Sequence, residues 1–326
     1  MENTPRKKAN PKANAVAGEK NSTPANKAPR GFMQFLLNCF TGNKAVKKTN
    51  AVTGERKPAS AKPPEAIAGQ SVNAVEIEIK SMQVIEGRPW TIPDLNMQFV
   101  YVKPGTFSMG SNDFNGQKPV HQVTLRNCYW LGKYEVTQDE YQGIMGSNPS
   151  FFKGEKKPVE TVTWHEAVGF CQKLTGSERA AGRLPDGYEY RLPTEAEWEF
   201  AARGGTASKG YEYSGSDNLD SVAWYKSNSG KETHEVGIKS PNELGIYDMS
   251  GNVLELCMDD WHENYDGAPS DGSRWGEGRC AKRVLRGGSW MFGPIYCRVA
   301  DRDLDNTDIV GVRIVGFRVA LAPCSK

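Results

Sequence analysis

The sequence predicts a loop-rich globular domain of short strands and few helices, and three observations predict it. Short stretches alternate polar and apolar residues as strands do, only three segments carry helix-start signals, and turn dipeptides crowd the chain after residue 202. The 326 residues include 34 Gly, 19 Pro and 8 Trp without a Gly-X-Y period, a loop-rich globular composition. No apolar run approaches the roughly 18 residues of a membrane-spanning helix. Lys and Arg total 41 against 39 Asp and Glu, a net charge of +2, which argues against a dedicated nucleic-acid binder with its large basic excess.

Composition divides the chain near residue 80. Residues 1–75 hold no Trp or Tyr and three Phe, and are rich in Ala, Asn, Lys, Pro and Thr. Such a stretch buries too little apolar area to offset its ordering entropy, so residues 1–80 read as a disordered or linker-like tail and 81–326 as the folded domain. The pieces beginning Asn14-Ala-Val-Ala-Gly-Glu and Asn50-Ala-Val-Thr-Gly-Glu echo each other as low-complexity sequence. The island Gly31-Phe-Met-Gln-Phe-Leu-Leu-Asn-Cys-Phe40 faintly resembles a bacterial lipoprotein signal with Cys39 as the lipidated residue. Its apolar core is short for an h-region, and the competing reading is a partner-binding patch in a linker.

In the domain, Met97-Gln-Phe-Val-Tyr-Val-Lys alternates and stops at Pro-Gly, and Val120-His-Gln-Val-Thr-Leu alternates again, so both read as strands. Thr137 caps a short helix. Thr163 caps a second, with Ala167, Phe170, Cys171 and Leu174 on one face. Thr194-Glu-Ala-Glu197 after Pro193 is a capping box that opens a third. After Ala202 turns dominate, so a region this poor in helix needs long-range pairing or bound ions to hold it.

A series of motifs then carries a family likeness. They are Val102-Lys-Pro-Gly-Thr-Phe-Ser-Met-Gly-Ser, Lys133-Tyr-Glu-Val-Thr, Asn148-Pro-Ser-Phe, Pro158-Val-Glu-Thr-Val-Thr, the run from Arg191-Leu-Pro-Thr-Glu-Ala-Glu-Trp to Arg-Gly-Gly, Gly245-Ile-Tyr-Asp-Met-Ser-Gly-Asn-Val-Leu-Glu, Arg286-Gly-Gly-Ser-Trp and Gly316-Phe-Arg. In that order, over about residues 97–321, they resemble the formylglycine-generating enzyme (sulfatase-modifying factor) family. The resemblance implies a C-type-lectin-like α+β fold. It also implies an enzyme that oxidises a cysteine of a sulfatase with copper held by two cysteines shortly after the Gly-Gly-Ser segment, thiolate sulfur being a natural ligand for Cu(I). Here Phe292 stands where the first of those cysteines would be, and Cys297 matches the family's structural cysteine. No copper is expected. A branch of the family that uses iron needs added histidines, whereas His121, His165, His234 and His262 are scattered and read as surface or hydrogen-bonded residues.

The resemblance also implies a structural calcium ion held by Asp248, Gly251, Val253 and Glu255, two carboxylates and two backbone carbonyls that would suit a hard cation. A solvated turn is the plainer reading of the same residues. Where the family has Trp-Glu-Trp, this chain has Leu254-Glu-Leu256, and both leucines read as core.

The same fold serves as the variable protein of diversity-generating retroelements, in which adenine-directed mutagenesis rewrites AAC codons near the C-terminus. An NNC codon never encodes Lys, Glu, Gln, Met or Trp. These types make up 74 of the 326 residues, so a 24-residue window should hold about five, and Phe292–Val315 holds none. Phe292, Gly293, Ile295, Tyr296, Asp301, Asp303, Leu304, Asp305, Asp308, Ile309, Val310 and Val312 fit that code. Aromatic and aliphatic anchors beside short acids suit recognition of a protein or other macromolecule. A buried strand through Ile309, Val310, Val312, Ile314 and Val315 is the alternative.

Six of the seven cysteines lie in the domain: Cys128, Cys171, Cys257, Cys280, Cys297 and Cys324. An even number permits three disulfides, the family's pairings map poorly, and buried free thiols are the simpler reading. A cell-surface and a cytoplasmic location both stay open. The sequence thus predicts a non-catalytic ligand-binding protein, with a formylglycine-generating oxidase or accessory enzyme as the alternative.

Overall fold

The computed structural model describes Met1 and residues 84–277, 280–306 and 311–324. The tail with Cys39, and Asp308, Ile309 and Val310 of the C-terminal segment, lie outside the described residues.

The chain opens with strands β1 (Trp90–Ile92), β2 (Met97–Val102), β3 (Gly105–Met109), β4 (His121–Leu125) and β5 (Tyr129–Gly132). Helices α1 (Gln138–Met145) and α2 (Trp164–Ala180), strand β6 (Tyr188–Arg191), and helices α3 (Glu195–Ala202) and α4 (Leu219–Val222) follow. Strands β7 (Leu254–Asp260), β8 (Lys282–Arg286), β9 (Arg302–Asn306), β10 (Val315–Gly316) and β11 (Ala320–Pro323) complete it.

Thr137, Thr163 and Thr194 each form a complete capping box with Glu140, Glu166 and Glu197, so all three helix starts fall where the residues put them. α2 runs 17 residues, longer than the short helix expected. It buries Ala167, Phe170, Cys171 and Leu174 against the larger core cluster. Among the described residues no helix is long and apolar enough to cross a membrane.

The last strand closes the fold onto the first part of the chain. β11 inserts between β5 and β6 in a five-stranded antiparallel sheet of order β1-β2-β5-β11-β6. A second sheet, β10-β7-β8-β9, contains one parallel pair, β10 with β7, and β9 lies at its edge. β3 and β4 form a separate hairpin. This is the C-type-lectin-like α+β arrangement, with long-range strand pairing holding extended loops.

The second sheet supplies the long-range pairing that the turn-dominated chain after Ala202 needs. β7 is buried on both faces and so shows no alternation, and Leu254 and Leu256 are core residues, as expected. β9 reads Arg-Asp-Leu-Asp-Asn, which no strand propensity favours; its ladder with β8 and the ion pair of Arg302 with Glu195 of α3 hold it.

Candidate functional site

The C-terminal segment is built on the turn after β8. Gly287 and Gly288 have φ of +95° and +74°. A Cβ on Gly288 would lie 2.6 Å from the Tyr296 carbonyl and 2.8 Å from the Cys297 sulfur, so both space and backbone require glycine there. Trp290 follows, pinned by its amide to the Asn252 carbonyl at 2.8 Å and by its indole N–H to the Arg313 carbonyl at 3.0 Å. That second bond ties the two ends of the segment together.

Phe292 does not face solvent. It is 2 % exposed and sits in the main core, with Tyr296 5.3 Å away ring to ring. As a ligand contact it is therefore corrected: its bulk supports the face from beneath. Gly293 opens a one-turn 3-10 helix over Pro294–Cys297, which lifts Ile295 into solvent at 44 % exposure and leaves Tyr296 half-buried. Cys297 is buried, its sulfur 3.8 Å from the Gly293 carbonyl, and burial pushes its thiol up to about 12. A thiol in that state is a poor nucleophile at neutral pH.

Asp301 is half-buried and accepts from the Gln117 side chain at 2.9 Å. β9 then begins with Arg302, whose guanidinium clamps Glu195 of α3 at 2.6 and 2.9 Å and also donates to the Gly116 and His262 carbonyls. Arg286 of β8 joins the same network through Glu195 and Glu199. This network explains why α3, written Glu-Ala-Glu-Trp-Glu-Phe-Ala-Ala, can bury every residue: its three glutamates each meet an arginine.

Asp303 is half-buried, as are Leu304 and Val312. Asp305 is 2 % exposed, so as a surface contact it too is corrected; one of its oxygens, Oδ1, has no hydrogen-bond partner. Burial first, then neighbouring carboxylates, raises Asp301 to about 7 and Asp305 to about 7; burial raises Asp303 to about 6. Tyr296 lies near enough to Asp301 and Asp303 for their charge to raise its hydroxyl, after burial. Gln117 belongs to the site and was missed by sequence reasoning. It lies 184 positions from Asp301, in a loop with no periodic signal.

The four proposed calcium ligands are brought together only in part. Asp248, at φ 58°, is buried; its Oδ2 accepts from the Gly237 amide at 2.7 Å and its Oδ1 has no partner. Glu255 is fully buried, and both its oxygens bind Arg318 at 2.6 Å, with the Trp198 indole on one of them at 2.7 Å. Glu135 closes the cluster, accepting from the Val253 amide and the Asn252 side chain. Burial, reinforced by Asp248 and Glu255, holds Glu135 well above the usual carboxylate range, and burial raises Asp248 to about 6. Among the described residues no group of three or more His, Cys, Asp or Glu side chains could hold a metal. Glu255 does not fit a calcium ligand as placed, because the Arg318 guanidinium takes both its oxygens.

The histidines behave as structural residues. His121, His234 and His262 each hydrogen-bond a backbone carbonyl, and His165 is exposed. The six described cysteines are free; four are buried, and Cys280 and Cys324 are exposed.

Residues 89–323 match the family described as the sulfatase-modifying factor enzyme 1-like domain. The chain belongs to that family. It is 36 % identical to the chaperone protein LppX of Paenibacillus barcinonensis over 59 % of this chain and 78 % of that protein. It is 36 % identical to the formylglycine-generating enzyme of Streptomyces coelicolor over 50 % of this chain, and spans about half, 52 %, of that enzyme's length. Among solved structures, variable protein 1 of Treponema denticola superposes with a TM-score of 0.64 at 33 % identity, covering 72 % of this chain and 99 % of that one.

Proposed function

We propose that this domain is non-catalytic and binds a macromolecular ligand through the face formed by residues 291–315. One observation carries the reading: at the turn where the resemblance puts the first catalytic cysteine of the family's oxidases stands the buried Phe292, and Cys297, which matches the family's structural cysteine, is buried as well. The oxidation needs two thiolates on one copper, and the stretch from Arg286 to Asn306 carries a single cysteine, Cys297. Likeness to a variable protein, and to a relative named a chaperone, supports recognition over turnover.

The residue distribution of 292–315 supports the finer reading, a face diversified by a retroelement. Its members reaching solvent would then be the exposed Ile295 and the half-buried Tyr296, Asp301, Asp303, Leu304 and Val312, carried on a framework of Trp290, Cys297 and Arg302. A reverse-transcriptase gene beside the coding sequence, with a near-identical repeat differing at adenines, is the expected finding; its absence reduces the reading to ligand binding alone. The oxidase alternative draws on the 36 % identity to the Streptomyces enzyme. Incubating the full chain with Cu(I), oxygen and a cysteine-containing sulfatase peptide separates the two. No formylglycine is expected, and its formation would overturn the non-catalytic reading.

A further inference from the structure

Near its C-terminal end the segment 291–315 carries a cation that the protein leaves without an acceptor. Arg313 is half-buried, and its guanidinium carbon lies 3.5 Å from the centroid of the Phe151 ring, a stacked contact. Phe151 is 52 % exposed, so the stack sits at the surface. Among the described residues no hydrogen bond or ion pair reaches the Arg313 side chain. Glu160 feels its charge but is engaged elsewhere. The Glu160 Oε1 accepts from the Phe152 amide at 2.8 Å and its Oε2 from the Thr161 hydroxyl at 2.5 Å.

The stack is held from both sides. The Phe151 ring meets Phe152 edge-on at 5.0 Å, Phe152 meets Trp290 edge-on at 5.3 Å, and the Trp290 indole N–H donates to the Arg313 carbonyl at 3.0 Å. The Gln138 side chain donates to the Phe152 carbonyl at 2.7 Å, which ties the loop carrying the rings to α1. An arginine laid flat on a fixed ring has given up part of its rotamer freedom before a ligand arrives, so less ordering entropy opposes binding.

The chemistry selects the ligand group. A guanidinium stacked on an aromatic face keeps the N–H fork at its edge, and that planar fork matches a carboxylate through two parallel hydrogen bonds. The exposed ring beside it suits an apolar side chain next to the carboxylate. Exposed Lys153 and Lys156 on the same loop outweigh exposed Glu155, and Lys157 pairs with Glu232, so the local field favours an anion. A phosphate polymer fits less well. Residues 81–326 carry 33 Asp and Glu against 27 Lys and Arg, and such a domain repels a polyanion at long range.

We propose that Arg313, stacked on Phe151, receives a carboxylate side chain of a protein ligand, from an acidic segment with apolar neighbours. This rests on the binding reading above and names the chemistry of one contact within it.

The probe is a fluorescein-labelled peptide of alternating glutamate and leucine, compared with its glutamine–leucine counterpart by anisotropy on the full chain at about 0.15 M salt, where long-range attraction is screened. The glutamate peptide is expected to bind about tenfold more tightly, the scale of one charge-assisted contact. Arg313→Gln, and also Arg313→Lys, which keeps the charge and loses the fork, should bring the two peptides within about threefold of each other. Lys103→Gln, at an exposed cation on the β2–β3 turn, should leave the ratio unchanged. Equal binding of both peptides by the unmodified chain, or a ratio that survives either Arg313 substitution, overturns the proposal. Competition on the unmodified chain needs no variant: butyrate should displace the glutamate peptide and butanol should not, and equal effects would also overturn it. A single-stranded oligothymidylate that binds more tightly than the glutamate peptide would overturn it in favour of a phosphate polymer. A blank turnover assay with equal peptide binding rejects the carboxylate contact alone, whereas formylglycine production rejects the binding reading itself.

Discussion

Asp305 shows how burial and chemistry part company along one strand. Its side chain is shielded from water, yet one oxygen lacks a donor and its carboxyl is raised to about 7. The linkage follows from the sign of that shift. An acid whose folded pKa lies above its unfolded value of about 3.9 binds its proton more tightly when folded, so its contribution to stability falls as pH rises from about 4 through 7. Asp305→Asn removes the charge that must be buried at high pH. It should therefore stabilise the domain by roughly 1–3 kcal/mol at pH 8 and by much less at pH 4, read from urea denaturation at both pH values. Equal effects at the two pH values would show that Asp305 is ionised to the same extent in both states.

At the scale of elements, charged residues hold the fold where apolar pattern is thin. Arg318, just before β11, binds Glu255 of β7 and the Gly132 and Tyr247 carbonyls, so one side chain joins both sheets. Arg318→Met would strand three buried carboxylates, Glu255, Glu135 and Asp248, and should cost about 3–5 kcal/mol in denaturant unfolding. Because Arg318 already supplies that charge, EDTA should shift the melting temperature by less than about 1 °C; a fall of several degrees would place a cation on Asp248 after all. The same elements mark what the sequence could tell. The three capping boxes and the stripe of α2 are local patterns, and residues three or four apart announce them. β9 and the burial of α3 rest on Arg302 meeting Glu195 from 107 positions away, a contact with no local signature. Phe292 and Asp305 were legible as chemical types but not as buried ones, since burial depends on which strands pair.

For the molecule as a whole, the order of the motifs announced the family and its C-type-lectin-like fold, because they follow one another over more than two hundred residues, whereas the insertion of β11 between β5 and β6 carries no local signal. What the domain does depends on fewer atoms. The turn at Gly287 and Gly288 rests beside an arginine–glutamate frame, and Phe292 packs into the core a few residues beyond it. A frame of this kind tolerates change on its outer face while the core stays fixed. The most direct measurement is a Cu(I) titration of the reduced full chain against a competing chelator. A face that only recognises its ligand should hold no copper more tightly than the chelator does. A tight one-to-one complex, lost on Cys297→Ser, would contradict it.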